Sequence, residues 1–397
     1  PPPVWNVFMN ENYSKKGDEI LIDPETRICS QPRVPLKILW LIDSFDAGDA
    51  EFHVYYLARY FTREYKHQIY FFSTRDGAMR KLFEGFSRVT CGEHTDAAIE
   101  KLHSEEHFDV AVVTSLKEVR YPEILSKIDL PATWQIASST PLVERVQQHF
   151  QQPATIVFPS EEIAGPYRRL DTRLVARLLN SSVDLAEIKL YKQKNSPMDL
   201  RAALNVSRKS MVFTIAGPTV EERGQKQFVE AAQQLIRKQP GLDADFFIVG
   251  EREGPYGNAV KALVQGGPNA ERFHFVPESA DPASRYPYYW IADVCVTCSE
   301  RETYPITTLE AMAFKKAVIG PNVFAVNEVI EQDENGLLYD PGMPGDLAGK
   351  MEELLANRDY VDALGRISLE MAMEKFALKK SAARLERYLR ESIVYVP

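Results

Sequence analysis

Cysteine is scarce in this chain: four residues in 397, at Cys29, Cys91, Cys295 and Cys298. So few and so scattered a set cannot form a disulfide framework, and a reducing, cytoplasmic setting is expected. Cys295 and Cys298 do form a C-x-x-C, but strand positions three apart face opposite sides, so the pair reads as core filling rather than zinc or redox chemistry. Basic charge is not in excess either. With 47 Lys and Arg against 56 Asp and Glu, the net charge is −9, which argues against bulk nucleic-acid binding. No apolar run approaches the roughly 20 residues of a membrane span, and the first residues do not read as a secretory signal. The N-x-S/T triplets at Asn12, Asn180 and Asn205 are therefore read as chance matches. The seven histidines show no helical pair and no ligand spacing, so no metal is expected. The chain opens on Pro1 rather than Met, which suggests a piece of a longer polypeptide.

What the chain does have is length and alternation. At 397 residues, 45% hydrophobic, it can bury two full cores. After a Pro-bracketed extension, residues 1–35, apolar runs alternate with helical patterns. Strand-like runs stand at Leu36–Asp43, HQIYFFST, Phe108–Ser115, Ala132–Ser138 and Ala154–Ser160, then at Met211–Gly217, Ala244–Glu251 and Arg272–Glu278. Such alternation implies parallel sheets with right-handed crossovers, an α/β fold. The segment YRRLDTRLVARLL is ambiguous. As a helix it would put Arg169, Arg173 and Arg177 on one face, able to meet an anionic acceptor or lipid head groups; as a strand it would not. A polar stretch with Pro197 marks the linker. The division is 1–35 extension, 36–185 first Rossmann-like domain, 186–207 linker, 208–375 second Rossmann-like domain, and 376–397 a terminal helical stretch.

The most informative stretch is 291–342. An apolar run, Ile291–Cys298, is followed by the polar loop SERETYP, a helix from Ile306, and a second apolar run at Ala317–Ile319. This is a βαβ unit, and ligands of such sheets bind beyond the carboxyl ends of the strands. Glu302 lies in that loop, and Glu310 lies on the helix. The N–H groups of Ile306, Thr307 and Thr308 offer an anion site at the helix start. Two carboxylates beside a phosphate cradle suit a ligand both phosphorylated and rich in hydroxyls, as a nucleotide sugar is.

SERETYPITTLEAMAFKKAVI and NEVIEQDENGLLYDPG together resemble the Glu-x7-Glu signature of retaining, family-4 glycosyltransferases, with its trailing E-x-I-x-D-G-x-N-G-L-L-x-x-P-G. The match runs over about fifty residues, far more than a short motif. The resemblance implies a GT-B architecture: two Rossmann-like domains facing across a cleft, over residues 36–390. It also implies transfer of a sugar from a UDP- or GDP-type donor to a glycan or lipid-linked acceptor hydroxyl, with retention at the anomeric carbon. Polysaccharide or glycolipid synthesis, without cofactor or metal, is the expected setting, with peripheral contact at the inner membrane face allowed.

Carried over residue by residue, Glu302 would hold the sugar hydroxyls and Arg223 the diphosphate, both acting in catalysis. Glu310 would hold the ribose. Gly48 and Asp49 stand where the family has G-G-x-E, and Gly217 ends the strand before the diphosphate loop. Lys226 or Arg252 would supply a second cation, Val276 lies on the base-binding edge, and Tyr304, Pro305, Ile306, Thr307 and Thr308 complete the donor site. The chain departs from the family at Asp49, Pro218 and Ala137, where Gly, Arg and His are usual. A non-catalytic sugar-nucleotide-binding module, or an epimerase of the same fold, therefore stands as an alternative. His53 reads as a polar helix histidine.

Overall fold

The computed structural model describes residues 34–114, 121–135, 154–168, 174–300 and 302–394. Ala137, Arg169, Arg173 and residues 1–33, with Asn12 and Cys29, lie outside the described residues. Two parallel sheets organise what is described. The first contains β1 (Lys37–Ser44), β2 (Gln68–Arg75), β3 (Arg88–Cys91), β4 (Val110–Val113), β5 (Ala132–Gln135), β6 (Ala154–Phe158) and β7 (Leu174–Leu178), in the order β3-β2-β1-β4-β5-β6-β7. The second contains β8 (Met211–Ala216), β9 (Ala244–Glu251), β10 (Phe273–Pro277), β11 (Val294–Val296), β12 (Ala317–Pro321) and β13 (Gly336–Tyr339), in the order β10-β9-β8-β11-β12-β13. In each, the chain runs outward from its first strand and then returns to that strand's other side. The direction of winding therefore reverses between β1 and β4 and again between β8 and β11. Those reversals leave crevices at the carboxyl ends of the strands, where ligands of such folds bind.

Parallel sheets bury both faces, and their strands read as near-continuous apolar runs. In the second sheet Phe213, Phe246 and Val294 point to one core and Val212, Phe247 and Cys295 to the other. Cys298 belongs to the core opposite that of Cys295, and burial pushes both thiols up to about 12. The expected run Ile291–Cys298 is only in part a strand: the helix Tyr286–Ile291 takes its start, and β11 begins at Val294.

Two other stretches gain detail. Most of 186–207 is helical, as Leu185–Lys194 and Pro197–Ala203. Asp184 accepts N–H bonds from Ala186 and Glu187, and Ser196 caps the second helix with Pro197 at its first position. Pro197 thus starts a helix, where its missing N–H costs nothing, rather than breaking one. Arg177 lies in strand β7, so it is not part of a helical arginine face. It bonds Glu391 at 2.9 Å and lies over the Tyr388 ring.

Both of those partners belong to the last helix, Leu378–Val394. It presents Leu378, Ala382, Leu385 and Leu389 at helical spacing to the first domain's core, each buried leucine contributing about 1.5–3 kcal/mol. No helix among the described residues is long and apolar enough to cross a membrane.

Candidate functional site

Three loops meet where the winding of the two sheets reverses. After β1, the chain turns at Gly48 into helix α1 (Asp49–Tyr60). After β8 it passes Gly217 and Pro218, makes one 3-10 turn over Glu221–Arg223, and enters helix α2 (Gln225–Lys238) through Gly224. Gly224 has φ +68°, and a Cβ there would lie 2.6 Å from the Cβ and carbonyl oxygen of Cys298. Only glycine lets the loop after β8 press so closely on the loop after β11. That loop carries Glu302 and leads into helix α3 (Ile306–Ala313).

The close approach sets Arg223 between two carboxylates. Its Nη1 bonds Glu302 at 2.6 Å, and its Nη2 bonds Asp49 on the first domain. Asp49 does not cap α1; Gly48 occupies the cap position without a side-chain bond. With two acids sharing one cation, the cluster is balanced when Glu302 holds a proton. Burial, reinforced by the charge of Asp49 and opposed by Arg223, pushes the Glu302 carboxyl up to about 8. The same surroundings push Glu51 up to about 7, burial first and Asp49 among the acidic neighbours.

Glu310, one turn into α3, is fully buried. Arg285 grips it with two bonds, Nε to Oε2 at 3.0 Å and Nη2 to Oε1 at 2.8 Å. The Tyr56 hydroxyl of α1 donates to Oε1 at 3.0 Å. Of the three N–H groups expected at the start of α3, that of Ile306 already donates to the Tyr304 carbonyl. Thr307 and Thr308 lie in the first turn and are buried. Tyr304 stacks on His53 at 4.6 Å and receives a 3.4 Å bond from Gln135. His53, read as a polar helix histidine, does lie on α1, but it is buried, neither ring nitrogen has a hydrogen-bond partner, and burial holds its pKa down to about 3.

The remaining expected residues divide. Lys226 borders the Arg223 loop with its ammonium 5.1 Å from the Tyr256 ring centre. Arg252 is committed to a two-bond pair with Glu278, at 2.7 Å each. Val276 lies on the edge strand β10. Pro218 offers only a carbonyl, accepting from Gln225 at 3.0 Å. A cavity of about 390 Å³ opens on the flank of the cleft nearer β6 and β7, lined by Ser160, Asn180, Ser181, Thr303 and Lys380 among others. Among the described residues, no three His, Cys, Asp or Glu side chains gather as a metal site requires.

Sequence reading missed Arg285, Phe52 and Tyr56. The only local signal was the spacing of Asp49, Phe52, His53 and Tyr56 along one side of α1, hidden because Phe52 to Ala58 are all buried.

Comparison with known proteins agrees with this geometry. Residues 209–357 match the family described as glycosyl transferases group 1. A D-inositol 3-phosphate glycosyltransferase of Paenarthrobacter aurescens is 27% identical over 49% of this chain and 47% of its own length. An alpha-D-kanosaminyltransferase of Streptomyces kanamyceticus is 23% identical over 68% of this chain and 73% of its own. The chain therefore spans about half the length of the first of these relatives. Among solved structures, HepE of Anabaena, determined with UDP and glucose, superposes with a TM-score of 0.74 at 16% identity, over 89% of this chain and 99% of that one. A glycosyltransferase of Rickettsia africae gives 0.76 at 16% identity, over 91% and 100%. The second domain thus carries the glycosyl transferases group 1 pattern, and the two domains together have the GT-B fold.

Proposed function

We propose that the chain transfers a sugar from a nucleoside-diphosphate donor to an acceptor hydroxyl, with retention at the anomeric carbon. The observation that carries this reading is the meeting of Arg223, Glu302 and the start of α1 at the point where both sheets reverse. In the reaction, charge develops on the sugar ring and on the departing diphosphate. A buried guanidinium and the N–H groups of α3 aimed at that diphosphate lower the barrier because they are already oriented. Glu302 faces the sugar side and Glu310 the ribose side. The acceptor, a glycan, a lipid-linked sugar or a small polyol of the kind the first relative's name indicates, would approach through the cavity beside Thr303. Polysaccharide or glycolipid assembly at the cytoplasmic membrane face is the setting we infer. We expect no metal requirement, and turnover unchanged by EDTA is the outcome that agrees.

One observation favours a second reading, a sugar-nucleotide-binding module without transfer. Arg223 is shared by two acids, and Pro218 stands where a second cation is usual in the resembling family. A screen with UDP-, GDP- and ADP-sugars separates the readings. Release of nucleoside diphosphate with formation of a glycosylated acceptor supports transfer. Binding with no release under any acceptor supports the module, and an epimerised donor would point to the third chemistry this fold hosts.

A further inference from the structure

Helix α1 turns four residues at successive helical positions toward the second domain, and every one meets a group of the proposed donor site or its support. Asp49 pairs with Arg223. The Phe52 ring lies 4.5 Å from the Arg285 guanidinium, His53 stacks on Tyr304, and Tyr56 donates to Glu310. Positions i, i+3, i+4 and i+7 form one stripe of a helix, so the four contacts act as a unit.

The contacts differ in how well they satisfy their members. Arg285 and Glu310 neutralise each other with two bonds. Arg223, by contrast, is shared between two carboxyl groups, Glu302 and Asp49. His53 is buried with no partner on either ring nitrogen, and an unsatisfied buried group of that kind calls for an explanation beyond packing. A seam that is tight, yet contested at Arg223 and unsatisfied at His53, is suited to part.

We propose that α1 is a built-in competitor of the donor: Asp49 holds the side of Arg223 that a nucleoside diphosphate needs, and the donor binds only when the seam opens. This rests on the reading of Arg223 and Glu310 as donor residues. A diphosphate carries more charge than one carboxylate, so it can displace Asp49. It must first part the whole stripe, and its apparent affinity falls by the fraction of molecules open. Asp49, a departure from the family's glycine, is then a device that sets donor affinity, not a defect.

The test uses the full chain and two probes, UDP and GDP, titrated by calorimetry into the wild type and into Asp49→Asn. Asparagine keeps the size and the helix start but removes the competing charge. Affinity should rise about tenfold, and small-angle scattering should show a larger radius for the nucleotide-free variant than for the nucleotide-free wild type. Tyr56→Phe, which loses only the bond to Glu310, should shift both readouts the same way by less, and it stands in if Asp49→Asn does not fold. Equal or weaker binding by the variants while the wild type binds would overturn the competitor and leave the donor reading intact. Failure of all three proteins to bind either nucleotide would overturn the donor reading, and the competitor with it.

Discussion

The two glutamates eight positions apart occupy opposite electrostatic settings. Glu310 is matched: one buried carboxylate, one buried guanidinium and a phenol hydroxyl, all fully enclosed. Glu302 is mismatched, sharing Arg223 with Asp49 in a cluster that retains slight exposure. A matched pair in a dry interior holds structure in place, and losing one partner leaves a charge stranded. A mismatched cluster keeps a proton in play and a cation over-subscribed, as chemistry and ligand exchange require. Sequence spacing alone treats the two carboxylates as equivalents; their surroundings divide the labour.

The widest separation between them is expected in stability. Glu310→Ala strands Arg285 and should cost about 3–5 kcal/mol, read as a drop in urea midpoint with unchanged slope. A midpoint within error of the wild type would mean that Arg285 finds another partner and that the match has little value.

Turnover should divide the pair in the reverse sense. Above pH 8, where Glu302 is ionised, Glu302→Gln removes charge where the transition state differs most from the ground state, so kcat should fall there on the order of 10²-fold, the range for losing one oriented electrostatic group. Donor affinity and unfolding midpoint should stay close to wild type. A large stability loss with kcat intact would erase the distinction.

The third separation is in pH dependence. A carboxyl whose folded pKa is raised contributes stability below its ordinary value of 4.5 that is lost as pH rises through the folded value, here about 8 for Glu302 and about 7 for Glu51. His53 acts oppositely. Its pKa is lowered from 6.5 to about 3, so its contribution is complete above 6.5 and lost as pH falls toward 3. Between pH 6.5 and 7.5 the carboxyls dominate, since Lys192 and Lys316, held down to about 8 by burial, enter with the opposite sign only as pH nears 8, and thermal stability should decline across that window. Glu302→Gln should flatten the decline. An equal slope in wild type and variant would show that Glu302 is already ionised throughout.

How much of this was legible in the sequence follows from the range of each interaction. β8 and β9 announce themselves as unbroken apolar runs, because a parallel strand buries both faces. β3, an edge strand with the mixed run RVTC and no buried residue, gives no such signal. Pro197 marked the linker without showing the helix it starts, because that role depends on Ser196 before it. The Glu302 loop was found because its residues are contiguous. The seam was not, since Tyr56 and Glu310 lie 254 positions apart and Asp49 and Arg223 lie 174 apart. No local pattern encodes that pairing. In the sequence Asp49 stands only as a departure from the family's glycine, and its role comes from its distant partner Arg223.

The smallest expected effect is at Arg252, which the sequence offered as a second diphosphate cation. Its side chain is committed to Glu278 in the open, and exposed pairs contribute about 0–1 kcal/mol. Arg252→Ala should therefore leave both stability and nucleotide affinity nearly unchanged. A tenfold loss of affinity would bring Arg252 back into the site at Lys226's expense.

The central claim is that Arg223 is the cation a donor diphosphate seeks. Its most direct test is calorimetric titration of UDP and GDP into wild type and Arg223→Ala, with the fold of the variant checked by circular dichroism. A charged hydrogen-bond partner is worth about 1.5–3 kcal/mol, so the variant should bind roughly 10- to 100-fold more weakly. Affinity equal to that of the wild type would contradict the account.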